Sequence, residues 1–231
     1  MWGRGVDTTA FAPERRSQSL RSAYGLENTV IFLHVGRLAA EKGVDRIVRA
    51  FARARESLPA GAARLIIAGA GPEEEALRVL AGPDVLFLGV LDRERALPRL
   101  YASADAFLFS SLTETLGLVV LEAMSSGLPV IATPAGGVAD HLRDEINGMA
   151  VPPNDVDAMA RAIVSLTLDA ERRARLAAGA RACARRLDWE AELDRLDASY
   201  RSILERASRA SKRRARPADI FEEPATRGAP V

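Results

Sequence analysis

A doubly wound α/β fold on a parallel six-stranded sheet is what this sequence predicts, and three observations predict it. Short β-branched and aliphatic runs recur from Val30 to Pro152, helical patterns separate them, and Gly, Pro or capping residues mark the junctions. After Pro152-Pro153 the strand-like runs stop and only helical spacing continues.

Taken in order, a strand over 30–35 leads through Gly36 to a helix over 44–56, and a strand over 64–68 leads through Gly71-Pro72 to a helix over 73–80. Strands over 85–88 and 106–110 flank a helix over 94–103. The helix over 116–126 is apolar nearly all round and is stopped by Gly127 and Pro129. Strands over 130–133 and 149–151 are joined by a helix over 138–143, completing a Rossmann-like sheet. Asn154 is expected to cap a helix reaching 168, and further helices cover 171–187 and 189–207. In the last of these, Leu193, Leu196, Tyr200, Ile203 and Leu204 recur on one face that should dock on something. Residues 208–231 mix Pro, Gly and charge without period and read as a disordered tail.

Composition narrows the function classes. The 231 residues, 48% of them hydrophobic, suit one soluble domain plus a tail, and a net charge of +1 provides no global field for nucleic acid. The single Cys183 permits no internal disulfide, suggests a reducing compartment and reads as a small buried apolar residue. No signal-peptide core and no membrane-spanning run is visible, so a cytoplasmic location is expected. Lysine occurs only at Lys42 and Lys212 in an otherwise arginine-based chain.

In such a sheet the ligand sits beyond the carboxyl ends of the first and fourth strands, where the winding reverses. The first strand runs into Gly36-Arg37-Leu-Ala-Ala-Glu-Lys42, the fourth into Ser111-Leu-Thr-Glu114-Thr115-Leu116-Gly117-Leu118. Two cations face a helix N-terminus with a glycine in its first turn, which is chemistry for a diphosphate. Singly, Arg37 and Lys42 would be solvated loop charges; their position at the switch point makes them ligand candidates. Glu122 lies inside the apolar helix, where an unmet carboxylate costs several kcal/mol, roughly. It is either a structural glutamate satisfied by a nearby Arg or backbone N–H, or an acceptor for vicinal hydroxyls such as a ribose offers. Glu114, beside the cradle, could meet a sugar attached to the diphosphate, or be a loop carboxylate favoured by the helix dipole.

The residues Arg37 with Lys42, the Glu114-x7-Glu122 spacing and the stretch Glu122-Ala-Met-Ser-Ser-Gly-Leu-Pro-Val-Ile-Ala132 resemble the carboxyl-terminal donor-binding domain of family 4 retaining glycosyltransferases of the GT-B fold. Trp2-Gly-Arg-Gly-Val-Asp-Thr8, with Phe11 and Pro13, is similar to the branch holding sulfoquinovosyltransferases and GDP-mannose-dependent α-mannosyltransferases. The resemblance implies a donor domain over 30–187 with a lead-in from an interdomain linker over 1–29. It implies that Arg37 and Lys42 hold the diphosphate of a UDP- or GDP-sugar, that Thr115 to Leu118 offer backbone N–H groups, and that Glu122 takes the ribose. Glu114 would contact the hexose, and Gly89, Val90 and Leu91 would lie along the base. Arg37, Lys42 and Glu114 would be the catalytic set, with no cofactor and no metal required. The implied acceptor-binding amino-terminal domain is absent from this chain, so a partner half is expected, with the chain alone inactive or weakly active and a lipid among the candidate acceptors.

Three rival readings stand beside this one. Gly69-Ala-Gly71 imitates a dinucleotide fingerprint but follows the second strand and lacks the third glycine, so it reads as a turn. A non-catalytic module that binds nucleotide sugar or assembles with a partner would keep the same fold, and so would half of a nucleotide-sugar epimerase. His34 reads as a packed core imidazole and His141 as a helix-surface residue. Lys212-Arg-Arg-Ala-Arg216 reads as solvated, with contact to anionic lipid at the inner membrane face as the alternative.

Overall fold

The computed structural model describes residues 5–214, and the chain forms two compact units divided after Glu192. In the first, the six apolar runs become β1 (Val30–Val35), β2 (Ala63–Ala68), β3 (Val85–Gly89), β4 (Ala106–Phe109), β5 (Val130–Ala132) and β6 (Gly148–Ala150). They pair in parallel throughout, in the order β3-β2-β1-β4-β5-β6. Winding therefore reverses between β1 and β4, as the sequence predicts.

Strand alternation divides the core into two layers. Ile31, Leu33, Val35, Phe107 and Phe109 face one layer, shared with α4 (Ala96–Ser103), α5 (Leu118–Ser125) and α7 (Ala170–Arg185). Phe32, Leu65, Ile67 and Leu108 face the other, against α2 (Val44–Arg55), α3 (Glu74–Leu80) and α6 (Val156–Leu168). Burial on both faces explains why these strands read as continuous apolar runs.

Ahead of β1, α1 (Gln18–Ala23) is pinned by one carboxylate. Asp105 accepts from Arg21 at 3.0 Å, Arg16 at 2.9 Å and the Ile31 amide at 2.8 Å. Arg21 is buried, its charge met by Asp105 and by the carbonyls of Ser103 and Thr29. A second strut is Arg181 on α7, which donates to the Ser125 carbonyl at 2.6 Å, the Phe11 carbonyl at 3.2 Å and the Thr8 carbonyl at 3.1 Å. The lead-in also meets the far end of this unit. Val6 N–H donates to the Leu187 carbonyl at 2.9 Å, and Trp189 N–H donates to the Val6 carbonyl at 3.0 Å.

The structure corrects several sequence expectations. The helix expected over 138–143 is a short 3-10 turn, Gly136–Val138, followed by irregular chain. Asn147 accepts from the Arg143 amide at 2.8 Å and donates to the His141 carbonyl at 2.9 Å, and Asp144 accepts from the Ala150 amide at 2.9 Å. These side chains offer the backbone a local alternative to a helix. His141 is accordingly buried rather than on a helix surface. The cap of α6 is Asp155, accepting from the Ala158 amide at 2.7 Å, and not Asn154, which takes a left-handed φ of 59° one residue earlier. Cys183 is half-buried.

The terminal helix α8 (Trp189–Arg214) continues past the expected end at Ala207. Within the second unit it carries Leu193, Tyr200, Ile203 and Leu204 exposed, and an i,i+4 ion pair joins Arg201 to Asp197 at 2.8 Å. The rest of the expected tail, 215–231, lies outside the described residues, as does Arg216 of the basic run.

Candidate functional site

Beyond β1 the chain turns through Gly36 and a 3-10 turn, Ala40–Lys42, before α2 begins. Ser110, just past β4, fastens that turn by donating to the carbonyls of Lys42 at 2.9 Å and Gly43 at 2.7 Å. Arg46 donates to the Ser110 carbonyl at 2.9 Å, and Ser111 to the Glu41 carbonyl at 3.3 Å. The ends of β1 and β4 are thus one bonded unit. The Gly69–Gly71 segment lies against the same turn, Leu38 N–H donating to the Ala70 carbonyl at 3.0 Å, so these glycines serve loop packing rather than a dinucleotide.

At the junction Lys42 Nζ donates to Glu114 Oε2 at 2.8 Å, with both side chains mostly buried. Gly117, the N-cap of α5, has a φ of 65°, a conformation costing an L side chain roughly 1 kcal/mol or more. The chain there is braced by the loop after β5. Gly137 N–H donates to the Glu114 carbonyl at 2.7 Å, and a Cβ on Gly136 would stand 2.1 Å from that oxygen. Glu114 Oε1 accepts from Gly117 N–H at 3.4 Å, so its carboxylate rests on the positive end of α5. Burial opposes ionisation of Glu114. Hydrogen bonding and charge from Lys42, with backbone N–H groups of Gly117 and Leu116, outweigh it and hold the carboxyl below the usual 4.5.

Farther along α5, Glu122 is buried and doubly held: Arg93 donates to Oε1 and the Tyr101 hydroxyl donates to Oε2 at 3.2 Å. Burial raises its pKa above 4.5, an effect that Arg93 and Tyr101 offset only in part. Tyr101 is itself pushed well above 10, first by burial and then by the Glu122 charge, and so remains a donor. Beside this carboxylate lies a cavity of about 490 Å³ lined by Phe11, Arg93, Leu118, Trp189 and the acidic Asp7 and Glu94.

Of the sequence candidates, Lys42, Glu114, Thr115, Leu116, Gly117 and Leu118 come together at the junction. Arg37 stands exposed at its mouth, 4.0 Å from Glu41. Val90 is exposed, while Leu91 turns inward with Leu88 beneath α1 and α4. Gly89, at the end of β3, accepts from Gly69 N–H at 2.7 Å. Arg93 and Tyr101 were not singled out by sequence reasoning. Arg93 sits inside the charged run Asp92-Arg-Glu-Arg95, where nothing marks it from its neighbours, and Tyr101 is the one hydroxyl-bearing aromatic of α4. Among the described residues no group of three or more His, Cys, Asp or Glu is placed to hold a metal ion.

A family model described as glycosyl transferases group 1 matches residues 29–169. The chain is a group 1 glycosyltransferase domain. Among relatives of this glycosyltransferase, the sulfoquinovosyl transferase SQD2 of Arabidopsis thaliana is 36% identical over 197 residues, 83% of this chain and 37% of that protein. A GDP-mannose-dependent α-mannosyltransferase of Mycolicibacterium smegmatis is 36% identical over 207 residues, 90% of this chain and 52% of that one. Of solved structures, Anabaena Alr3699/HepE in complex with UDP superposes with a TM-score of 0.74 at 26% identity, over 86% of this chain and 56% of that chain. The fold is thus that of one Rossmann-like half of the GT-B glycosyltransferases, and the chain spans 37% to 56% of the length of these relatives. Among the described residues no helix is long and apolar enough to cross a membrane.

Proposed function

We propose that this domain is the donor-binding half of a retaining hexosyltransferase that takes a hexose from a UDP- or GDP-sugar. The observation that carries the reading is the meeting of Lys42 and Glu114 at 2.8 Å on the N-terminal end of α5, at the point where the sheet reverses. The diphosphate would replace the Glu114 carboxylate at the amides of Leu116 and Gly117, with Lys42 and the exposed Arg37 meeting its charge. Glu114, displaced, would accept from hexose hydroxyls, and Glu122 from the ribose. The base would run along the loop after β3, past Gly89 and Val90.

Transfer then breaks the bond between the anomeric carbon and the diphosphate oxygen, which keeps the electron pair. The acceptor oxygen bonds on the same face of the sugar and gives its proton to the departing diphosphate oxygen. Lys42 and a helix terminus held in place before the reaction, joined by Arg37, would stabilise the charge that develops on the leaving group, with no metal required. Acceptor binding would fall to the half of the relatives that this chain does not cover, supplied in a longer polypeptide or by a partner. A lipid is the candidate acceptor that the resemblance implies.

Titration of the purified chain with UDP, GDP and their hexose conjugates tests the reading. We expect binding that weakens about tenfold or more in Lys42→Ala, in line with loss of a charge-assisted phosphate contact. Binding indifferent to Lys42 sinks the proposal.

A further inference from the structure

Glu122 and Arg93 form an unequal pair. The Glu122 side chain is 3% exposed and the Arg93 side chain 64% exposed. A salt bridge that served only the core would bury both partners, whereas this arginine leans in from solvent over the cavity wall. Holding a long exposed side chain in one place costs conformational entropy that a surface ion pair barely offsets. Here the arginine is kept in place by the buried charge and by the Phe11 ring, whose centroid lies 5.9 Å from its guanidinium carbon. It also belongs to the loop that follows Gly89, Val90 and Leu91.

We infer that Arg93 is a positioning residue for ribose recognition: it holds Oε1 of Glu122 while Tyr101 holds Oε2, fixing the plane and the charge of the carboxylate that the ribose diol must meet. An ionised carboxylate offers about four acceptor sites, and the two donors engage one on each oxygen, leaving one on each oxygen for a vicinal diol. A protonated carboxyl would lose that paired geometry. The groups that bear on its ionisation are Arg93 from the β3–α4 loop and Tyr101 from α4, with Asp7 from the lead-in and Glu94 on the same cavity wall. Removing Arg93 takes away the one cation among them.

The inference rests on the reading of Glu122 proposed above, and the experiment separates the two. Titrate UDP, GDP and their 2′-deoxy analogues into wild type, Arg93→Ala, Arg93→Lys and Glu122→Gln from about pH 5 to about pH 8. Wild type should prefer the ribonucleotides. Arg93→Ala should lose that preference about tenfold at the acid end and recover part of it at the alkaline end, as Glu122 ionises later. Arg93→Lys should restore it, and Glu122→Gln should bind without this pH dependence. A wild type blind to the 2′-hydroxyl overturns the reading of Glu122 and this inference with it. A wild type that reads the hydroxyl, beside an Arg93→Ala whose affinity and pH profile are unchanged or whose binding is tighter, overturns the inference alone. Thermal melts of each variant check that the fold is retained.

Discussion

Two carboxylates with seven residues between them are pushed in opposite directions. Glu114 ionises more readily than usual and contributes stability that is lost as pH falls below about 4.5. Glu122 ionises less readily, so between 4.5 and its raised value the folded state holds the extra proton, and stability falls as pH rises through that window. His34 adds a third term. Its ring is fully buried, Nδ1 lies 3.0 Å from the Leu108 carbonyl, and burial lowers its pKa from 6.5 to about 4. The unfolded chain takes up a proton below 6.5 that the native state refuses until about 4. That difference removes on the order of 3 kcal/mol across the interval. Urea unfolding of wild type and His34→Leu at neutral pH and near pH 4 measures it: the variant should be less acid-sensitive by about that amount, and parallel pH profiles would remove His34 as the cause.

At the scale of elements, six strands and most helices were legible because each must bury an apolar face, and the period of that face survives in the sequence. The β5–β6 connection was not. Its apolar spacing suggested a helix, but Asn147 and Asp144 capture the backbone, and such contacts leave no period. The α6 cap was misplaced by one residue for a related reason: Asn154 and Asp155 are both good caps, and only the left-handed φ at Asn154 decides between them. Asp155→Ala should therefore cost about 1 kcal/mol, read as a lower denaturant midpoint at unchanged slope. A midpoint within error of wild type would mean that the cap is dispensable. The meeting of Lys42 with Glu114 was legible because topology announces where the ends of β1 and β4 come together. Arg93 and Tyr101 were missed because their partner, Glu122, lies on another element at a distance the sequence does not encode.

Across the first unit, stability depends on struts that join distant parts of the chain. Arg181 spans the carbonyls of Thr8, Phe11 and Ser125, and burial lowers its pKa from the ordinary arginine value. Arg181→Ala leaves those carbonyls without that donor and should cost about 2 kcal/mol. Hydrogen exchange should rise over residues 8–11 while β1 and β4 stay protected. Uniform loss of protection would instead show that the lead-in and the sheet open together. The meeting of Val6 with Leu187 and Trp189 has a different consequence. The polypeptide enters and leaves this unit side by side, so the unit can be treated as a cassette. A circular permutant that closes this junction with a short linker and opens an exposed surface turn elsewhere is expected to preserve the sheet order, and grafting at this one seam would move the whole unit without re-cutting the core.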